Sequence, residues 1–273
     1  MRPGRLALGL TVVLSAAAGA DETTYCNAYI TSLPYTITTQ GHYCFNRNLS
    51  TPITTGNAIT ISSNYVVLDF NHFKLGGGSA GLGTQAVGVG AGGQTNVTIR
   101  NGNIRGFRVG IWLVDLDPIN NPTSLGYTVE DNVLDGNTSA GVIVAGGSSV
   151  VRRNTVFNTG NSTAGFFGVG CTGAAGSATF GIAMGAHAAA VAEDNLVDGL
   201  VPSPTAYGIY MFADDRPNCI PPAATAQRNV VRLGDAQPGT FGIHATVCRD
   251  NTAMYAATPY TCALNAGTNV IVP

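Results

Sequence analysis

Apolar residues alternate with small or polar ones in several short segments that each begin with glycine. These segments are Gly110–Leu113, Gly141–Val144, Gly181–Met184, Gly208–Met211 and Gly242–Ala245. A period of two residues is that of a β-strand, not of a helix. Aligning the glycines predicts two inward columns: first Ile111, Val142, Ile182, Ile209 and Ile243, then Leu113, Val144, Met184, Met211 and Ala245. Aliphatic columns in constant phase predict the dry interior of a stack of strands.

A second recurring phrase alternates with the first and ends on Asn132, Asn154, Asn195, Asn229 or Asn251. Two of the intervals, from Asn132 to Asn154 and from Asn229 to Asn251, are 22 residues. The 41 residues from Asn154 to Asn195 suggest two coils, and the 34 from Asn195 to Asn229 suggest one coil with an inserted loop. Self-similarity near 20 residues is typical of a solenoid, whose units bury their apolar faces against their neighbours.

We interpret these asparagines as structural residues. After each strand the chain must turn, and asparagine or glycine tolerates the left-handed conformation of a tight turn. Gly102 stands where later coils carry Asn132 and Asn154, which favours a backbone role over a catalytic one. Stacked amides would in addition hydrogen-bond along the axis.

Residues 66–77 carry a family resemblance. Leu68-Asp69-Phe70-Asn71, followed by His72 and a further apolar strand, is similar to the "LDLNG" opening coil of the pectate-lyase-like superfamily. The likeness covers roughly residues 53–260. It implies an all-β fold, a single-stranded right-handed parallel β-helix with an N-terminal cap, in a group of carbohydrate-binding proteins and sugar hydrolases. The architecture hosts many activities, so the resemblance specifies fold better than function.

The predicted organisation is a signal peptide at residues 1–20, an N-terminal cap segment at 21–52 and the β-helix at 53–273. Arg2 and Arg5 precede an apolar stretch that ends in small residues, as in secretory signals. Glycine is abundant, with 36 residues, and we interpret 76–78 and 90–93 as flexible connections. Charged residues are only 10% of the chain and the net charge is −2, which gives no footprint for nucleic acid or for an anionic membrane.

Six cysteines agree with a secreted or periplasmic location, where disulfides persist. They allow 15 pairings. Neighbouring positions favour Cys26 with Cys44 and Cys248 with Cys262, which leaves Cys171 and Cys219 for each other. The spacings do not match a thiol metal site.

The residues that alternate with the inward columns predict an outward face. One outward column contains Trp112, Ile143, Ala183, Tyr210 and His244, and Phe212 belongs to the next. His187, Asp214, Asp215 and Arg216 flank them. Because aromatic rings offer apolar faces to sugars, this face is the candidate site, and its predicted partner is a polysaccharide. Tyr210, His244, Asp214 and Asp215 are the catalytic candidates, and Trp112, Phe212, His187 and Arg216 the substrate-binding ones.

Three reactions could use such a face: calcium-assisted β-elimination, glycoside hydrolysis by two carboxylates, and metal-free elimination with histidine or tyrosine as acid and base. In the third, Tyr210 and His244 would face each other across a sugar. No cofactor is expected, and only the first reaction would require Ca²⁺. The alternative interpretation is a non-catalytic carbohydrate-binding or structural β-helix. The sequence does not decide between an enzyme and a binding protein.

Overall fold

The protein is a single-stranded parallel β-helix. The computed structural model describes residues 25–114, 123–164, 178–185, 189–202, 204–212, 224–234 and 237–273. The strand pairings between successive coils are parallel. The predicted signal peptide, together with Cys171 and Cys219, lies outside the described residues.

Each coil contributes one strand to each of three faces, which we call A, B and C. Within the described ranges there are nine such coils. Face A contains Tyr35–Ile37, Asn57–Ile61, Val87–Gly92, Val109–Val114, Ala140–Ala145, Ala178–Gly185, Thr205–Phe212 and the first parts of Thr240–Arg249 and Thr258–Ala266. Face B contains Ala28–Ile30, Gly41–Phe45, Val66–Asp69, Val97–Arg100, Thr128–Glu130, Ser149–Arg152, Ala190–Glu193, Ala224–Gln227 and the second parts of those two long strands. Face C contains Leu49–Ser50, Lys74–Gly76, Asn103–Arg105, Val133–Asp135, Thr155–Phe157, Leu196–Asp198, Val230–Arg232, Thr252–Met254 and Val270–Val272. A short 3₁₀ helix, Gly78–Ala80, follows a face C strand.

The register confirms the predicted interior. Ile111 pairs with Val142, and the column continues through Ile182, Ile209 and Ile243. These five side chains are at most 1% exposed. The second predicted column, from Leu113 to Ala245, is buried as well. Stacking of like aliphatic side chains therefore forms a continuous core along the axis.

Each glycine that opens a face A phrase lies where the strand bends into the core. A Cβ added to Gly141 would lie 2.5 Å from Cγ1 of Val156 and 2.7 Å from the carbonyl oxygen of Gly181. The same conflict recurs in the next coil at Gly181, against Val197 and Gly208. The wall across the lumen thus fills the space that a side chain would need. Packing is the reason for glycine at this corner.

The asparagines form a buried amide ladder, as the stacking prediction proposed. Asn154 Oδ1 accepts hydrogen bonds from both the backbone N–H and the side-chain amide of Asn132, each at 3.1 Å. The pattern repeats in the following coils through Asn195, Asn229, Asn251 and Asn269. Gly102 donates its N–H to Asn132 and so begins the ladder.

The prediction that these asparagines adopt the left-handed conformation is wrong. The residue before each of them has the positive φ, as at Asp131 (57°), Arg153 (53°) and Asp194 (56°). The prediction of two coils between Asn154 and Asn195 is also wrong. Their amides bond directly, so one coil with a long insertion separates them. The single coil predicted between Asn195 and Asn229 is confirmed.

Two other predictions concern the ends of the solenoid and the glycine-rich segments. Disulfides Cys26–Cys44 and Cys248–Cys262 are present, as predicted. Strands within 25–52 pair in register with those of the next coil. The glycine-rich segment 90–93 is not a flexible connection, because residues 90–92 belong to the face A strand Val87–Gly92.

Candidate functional site

Face A carries the outward column that the sequence predicted. The register aligns Trp112 with Ile143, then Ala183, Tyr210 and His244 in successive coils. The column extends beyond the prediction at both ends, through Gly90 and Thr60 on one side and Thr261 on the other. Their neighbours in each strand point into the core, so these side chains lie outside the lumen.

Aromatic rings cover the C-terminal half of this face. Phe180, Tyr207 and Phe241 stack over one another in three successive coils, with centroid separations of 5.5 and 4.7 Å. Tyr210 lies beside Tyr207 at 4.8 Å and beside Phe212 at 5.6 Å. Phe180, Tyr210 and Phe212 belong with Ile143 and Ala183 to a second hydrophobic cluster, separate from the lumen, and Tyr207 packs against it. Face A thus has its own apolar layer.

Burial on this face shifts the pKa values of Tyr210 and His244, two of the catalytic candidates. Tyr210 is 5% exposed, and burial, with a smaller contribution from Tyr207, raises the pKa of its phenol to about 12. Burial also lowers the pKa of His244 below its ordinary value of 6.5. At neutral pH the tyrosine is therefore a protonated donor, and the imidazole is neutral and able to accept a proton.

Tyr210 and His244 lie in contact. They are register partners in adjacent coils, and their ring centroids are 5.0 Å apart. The sequence-based expectation that they face each other across a sugar is wrong, because no sugar ring fits in that gap. A substrate would have to lie over the edges of both rings.

His244 also borders a small cavity at the C-terminal end of face A. The cavity has a volume of about 220 Å³, and its lining includes Thr261 and Cys262 of the last coil. The imidazole is thus reachable from solvent although it is largely buried. Phe212, predicted to bind substrate, is 2% exposed and packs inside the aromatic layer.

A larger groove lies at the other end of face A, around Trp112. Its volume is about 420 Å³, and its lining includes Asn57, Thr60, Gly90, Gln94 and Trp112. Gly90 of the preceding coil is a register partner of Trp112. That position therefore carries no side chain beside the indole, whereas the following coil places Ile143 there. The partly exposed indole forms one wall of the groove, and the Asn57 amide lies over Gly90 beside it.

The predicted site residues therefore fall in separate places. Trp112 and His244 are four register steps apart, which at strand spacing corresponds to roughly 19 Å. Tyr210, Phe212 and His244 are brought together, and Trp112 lines a different groove. His187, Asp214, Asp215 and Arg216 lie outside the described residues, and their roles stay predictions.

Most carboxylates in the described ranges lie away from face A, in columns at the ends of faces B and C. Asp69 binds Arg100, Glu130 binds Arg152 and Arg153, and Asp198 binds Arg232. Within those same ranges no group of three or more potential metal-ligating His, Cys, Asp or Glu side chains occurs. The polar chemistry of the face A grooves is thus that of amides, hydroxyls and aromatic groups, together with the His244 imidazole.

Sequence reasoning missed Asn57, Thr60 and Gln94 as groove residues. The usable signal was the alternation Val87, Val89, Ala91 with glycine between, which has the same period as the other face A strands. Interpreting Gly90 and Gly92 as a connection removed this coil from the predicted face. The predicted site was therefore placed on the aromatic residues of later coils.

Fold and site together define a parallel β-helix protein with an aromatic outer face and, among the described residues, a groove beside Trp112 and a cavity beside His244. No protein-family model matches the chain, and no curated protein matches it at a significant level. Among the described residues, no helix is long and apolar enough to cross a membrane.

Proposed function

We propose that this is a secreted or periplasmic β-helix protein that binds an extracellular or cell-envelope polysaccharide along face A. The observation that carries the proposal is the groove beside Trp112, where an indole faces a floor of glycine between amide and hydroxyl side chains. Membership of the pectate-lyase-like superfamily is part of the proposal. The parallel coils support it, and the "LDLNG"-like segment at residues 68–72 is its sequence basis.

The physical argument rests on how proteins bind sugars. A pyranose presents an apolar face of C–H groups and a rim of hydroxyls. An aromatic ring accepts the first, and neutral hydrogen-bonding side chains accept the second. Trp112 supplies the aromatic ring, and Asn57, Thr60 and Gln94 supply the neutral hydrogen-bonding side chains. A groove that opens along the axis of a solenoid also suits an extended chain.

Export is supported by the two disulfides in the described residues. Cys26–Cys44 ties the N-terminal strand to the first coil, and Cys248–Cys262 ties the last two coils together. Disulfides persist in oxidising compartments and are rare in the cytosol. The signal peptide at residues 1–20 belongs to the same proposal.

Catalysis is a second candidate function, favoured by the contact between His244 and Tyr210 beside a cavity. A neutral imidazole can remove the proton next to the carboxylate of a uronic acid. The protonated phenol can then donate its proton to the glycosidic oxygen as the C–O bond breaks and a C=C bond forms. Asp214 and Asp215 would join this site as further acid or base groups.

The test is incubation of the mature protein with uronate-containing and neutral polysaccharides. Affinity electrophoresis measures binding, absorbance of the unsaturated product measures elimination, and release of reducing ends measures hydrolysis. We expect binding to at least one polysaccharide. Turnover that His244→Ala and Tyr210→Phe abolish would establish the enzyme. Binding without turnover would leave a binding protein, and no binding to any polysaccharide would refute the proposal.

A further inference from the structure

We propose that the groove formed by Asn57, Thr60, Gly90, Gln94 and Trp112 is a subsite for an uncharged pyranose unit. This inference rests on the proposed polysaccharide function and specifies the class of sugar. It also places a ligand contact on the face A strands Asn57–Ile61, Val87–Gly92 and Val109–Val114, remote from the Tyr210–His244 pair. The groove has the dimensions of a ligand site, since its volume of about 420 Å³ lies within the usual range for small-molecule pockets, about 300–1,000 Å³.

The floor of the groove depends on glycine. Thr60, Gly90 and Trp112 are consecutive in the outward column, so Gly90 places no side chain of its own beside the indole. Asn57 uses part of this space. A Cβ at Gly90 would lie 2.5 Å from Asn57 Nδ2, which places the amide directly over the glycine. The amide and the indole therefore border the same small area.

Internal hydrogen bonds orient the two amides. Asn57 Nδ2 donates to Thr60 Oγ1 at 3.2 Å, and Gln94 Nε2 donates to the carbonyl oxygen of Gly92 at 2.8 Å. The backbone N–H of Gln94 donates to the hydroxyl of Tyr127 at 3.2 Å, which holds this residue at the groove edge. Each of these bonds uses one of the two N–H donors of its amide, so each side chain still has one N–H to donate and its carbonyl oxygen, Oδ1 or Oε1, to accept.

This arrangement favours a neutral sugar over a negatively charged one. A sugar hydroxyl both donates and accepts, so it can use the carbonyl oxygen and the remaining N–H of each amide. A carboxylate can only accept, so it can use the N–H alone and is repelled by the carbonyl oxygen. Recognition of uronic acids ordinarily uses arginine or lysine, whose charge-assisted bonds are the strong ones. The described lining of the groove contains neutral side chains. A neutral hexose or pentose unit thus matches the groove, and a uronate unit does not.

Trp112 makes the inference directly measurable, because it is the single tryptophan of the chain. Excitation of tryptophan alone reports on this groove and on no other part of the protein. The probes are oligosaccharides of the neutral polymers galactomannan and xyloglucan, compared with oligogalacturonate and oligomannuronate. We expect a neutral oligosaccharide to shift the emission and to protect the indole from iodide quenching, with the uronates at least about tenfold weaker, or about 1.4 kcal/mol.

Variants separate the groove from the rest of face A. Asn57→Ala and Gln94→Ala each remove one acceptor and are expected to weaken neutral-sugar binding about fivefold to tenfold, by the cost of one hydrogen bond. Thr128→Ala on face B is the matched control, since Thr128 also occupies an outward column. It is expected to leave the emission titration unchanged. Thermal melting of each variant confirms that it is folded.

Two outcomes overturn the inference and leave the proposed function intact. One is polysaccharide binding, seen by affinity electrophoresis, that neither changes the Trp112 emission nor responds to the groove variants. The other is a preference of the groove for uronates. Absence of binding to every polysaccharide in electrophoresis would overturn both proposals together.

Discussion

At the residue scale, the side chain of Asn154 shows why one residue type recurs in every coil. Its Nδ2 donates to the carbonyl oxygens of Val129 and Arg152 and to Oδ1 of Asn195. Its Oδ1 accepts from Asn132. The residue is 1% exposed, so no water can replace these partners. One amide satisfies backbone groups at a buried turn and links three coils.

We predict that Asn154→Ala lowers the free energy of unfolding by about 2–3 kcal/mol, because it strands buried donors and acceptors of neighbouring coils. Asn46→Ala is the control, since Asn46 is exposed and such a change stays within about 0.5 kcal/mol. Urea unfolding followed by circular dichroism measures both. A cost at Asn154 no larger than that at Asn46 would contradict a stabilising role for the ladder.

The residue scale is also where prediction from sequence was least complete. Stacked amides followed from the repeat, but the left-handed residue was placed one position too late. Asp131 and Asn132 are both types that tolerate positive φ, so composition could not tell which of them turns. The groove residues Asn57 and Gln94 carry no motif. They become functional candidates only because folding brings them next to Trp112.

At the scale of the strand, the corner glycine determines how face A begins. The strand Ala140–Ala145 turns toward the core at Gly141, where Val156 of face C lies directly opposite. Any side chain here would push two walls of the lumen apart. The lumen is thus narrow enough at this position that only glycine fits, which explains why glycine recurs there.

Gly141→Ala is predicted to destabilise the protein by about 1–3 kcal/mol, the usual cost of overpacking a closed site. Gly78→Ala is the matched control, because an added Cβ at Gly78 would meet nothing within 4 Å. Differential scanning calorimetry of the two variants checks the difference. Equal melting temperatures would show that the lumen can widen at this corner without cost.

The strands themselves were predictable, because their period of two and their aliphatic columns are local properties of the sequence. The insertion between Asn154 and Asn195 was not, since a long loop and an extra coil can have the same length. The continuation of the strand Val87–Gly92 through Gly90 was missed for a related reason. Glycine disfavours strands in isolation, but neighbouring strands on both sides pair with this one.

At the scale of the whole molecule, charge runs along the axis in alternating columns. At the end of face B, the register places Asp69, Arg100, Glu130, Arg152 and Glu193 in successive coils. Each coil thus meets opposite charge in its neighbour. A slip of one coil would bring like charges together. The columns therefore favour a single register for strands whose apolar patterns are nearly identical.

Three further aspartate–arginine pairs between successive coils predict how stability depends on pH. Hydrogen bonds from Arg153, Arg228 and Arg232 lower the pKa values of Asp131, Asp194 and Asp198, respectively, below the ordinary 3.8. Because the folded-state pKa is the lower one, each pair contributes its full stability above the unfolded pKa. That contribution is lost as the pH falls through the folded pKa. The melting temperature should be flat near neutrality and fall below about pH 4.

The triple variant Asp131→Asn, Asp194→Asn and Asp198→Asn tests whether these three pairs cause the loss of stability in acid. We expect a lower melting temperature at neutral pH and a shallower fall in acid, because the variant has lost the groups whose protonation costs stability. High salt should act on the parent protein in the same direction, since these side chains are partly exposed and their attraction is screened. Melting curves from neutral pH into acid, at low and high salt, make the comparison. If the melting temperature of the variant falls in acid as steeply as that of the parent, the loss of stability comes from other carboxylates. The columns would then maintain register without contributing measurably to stability.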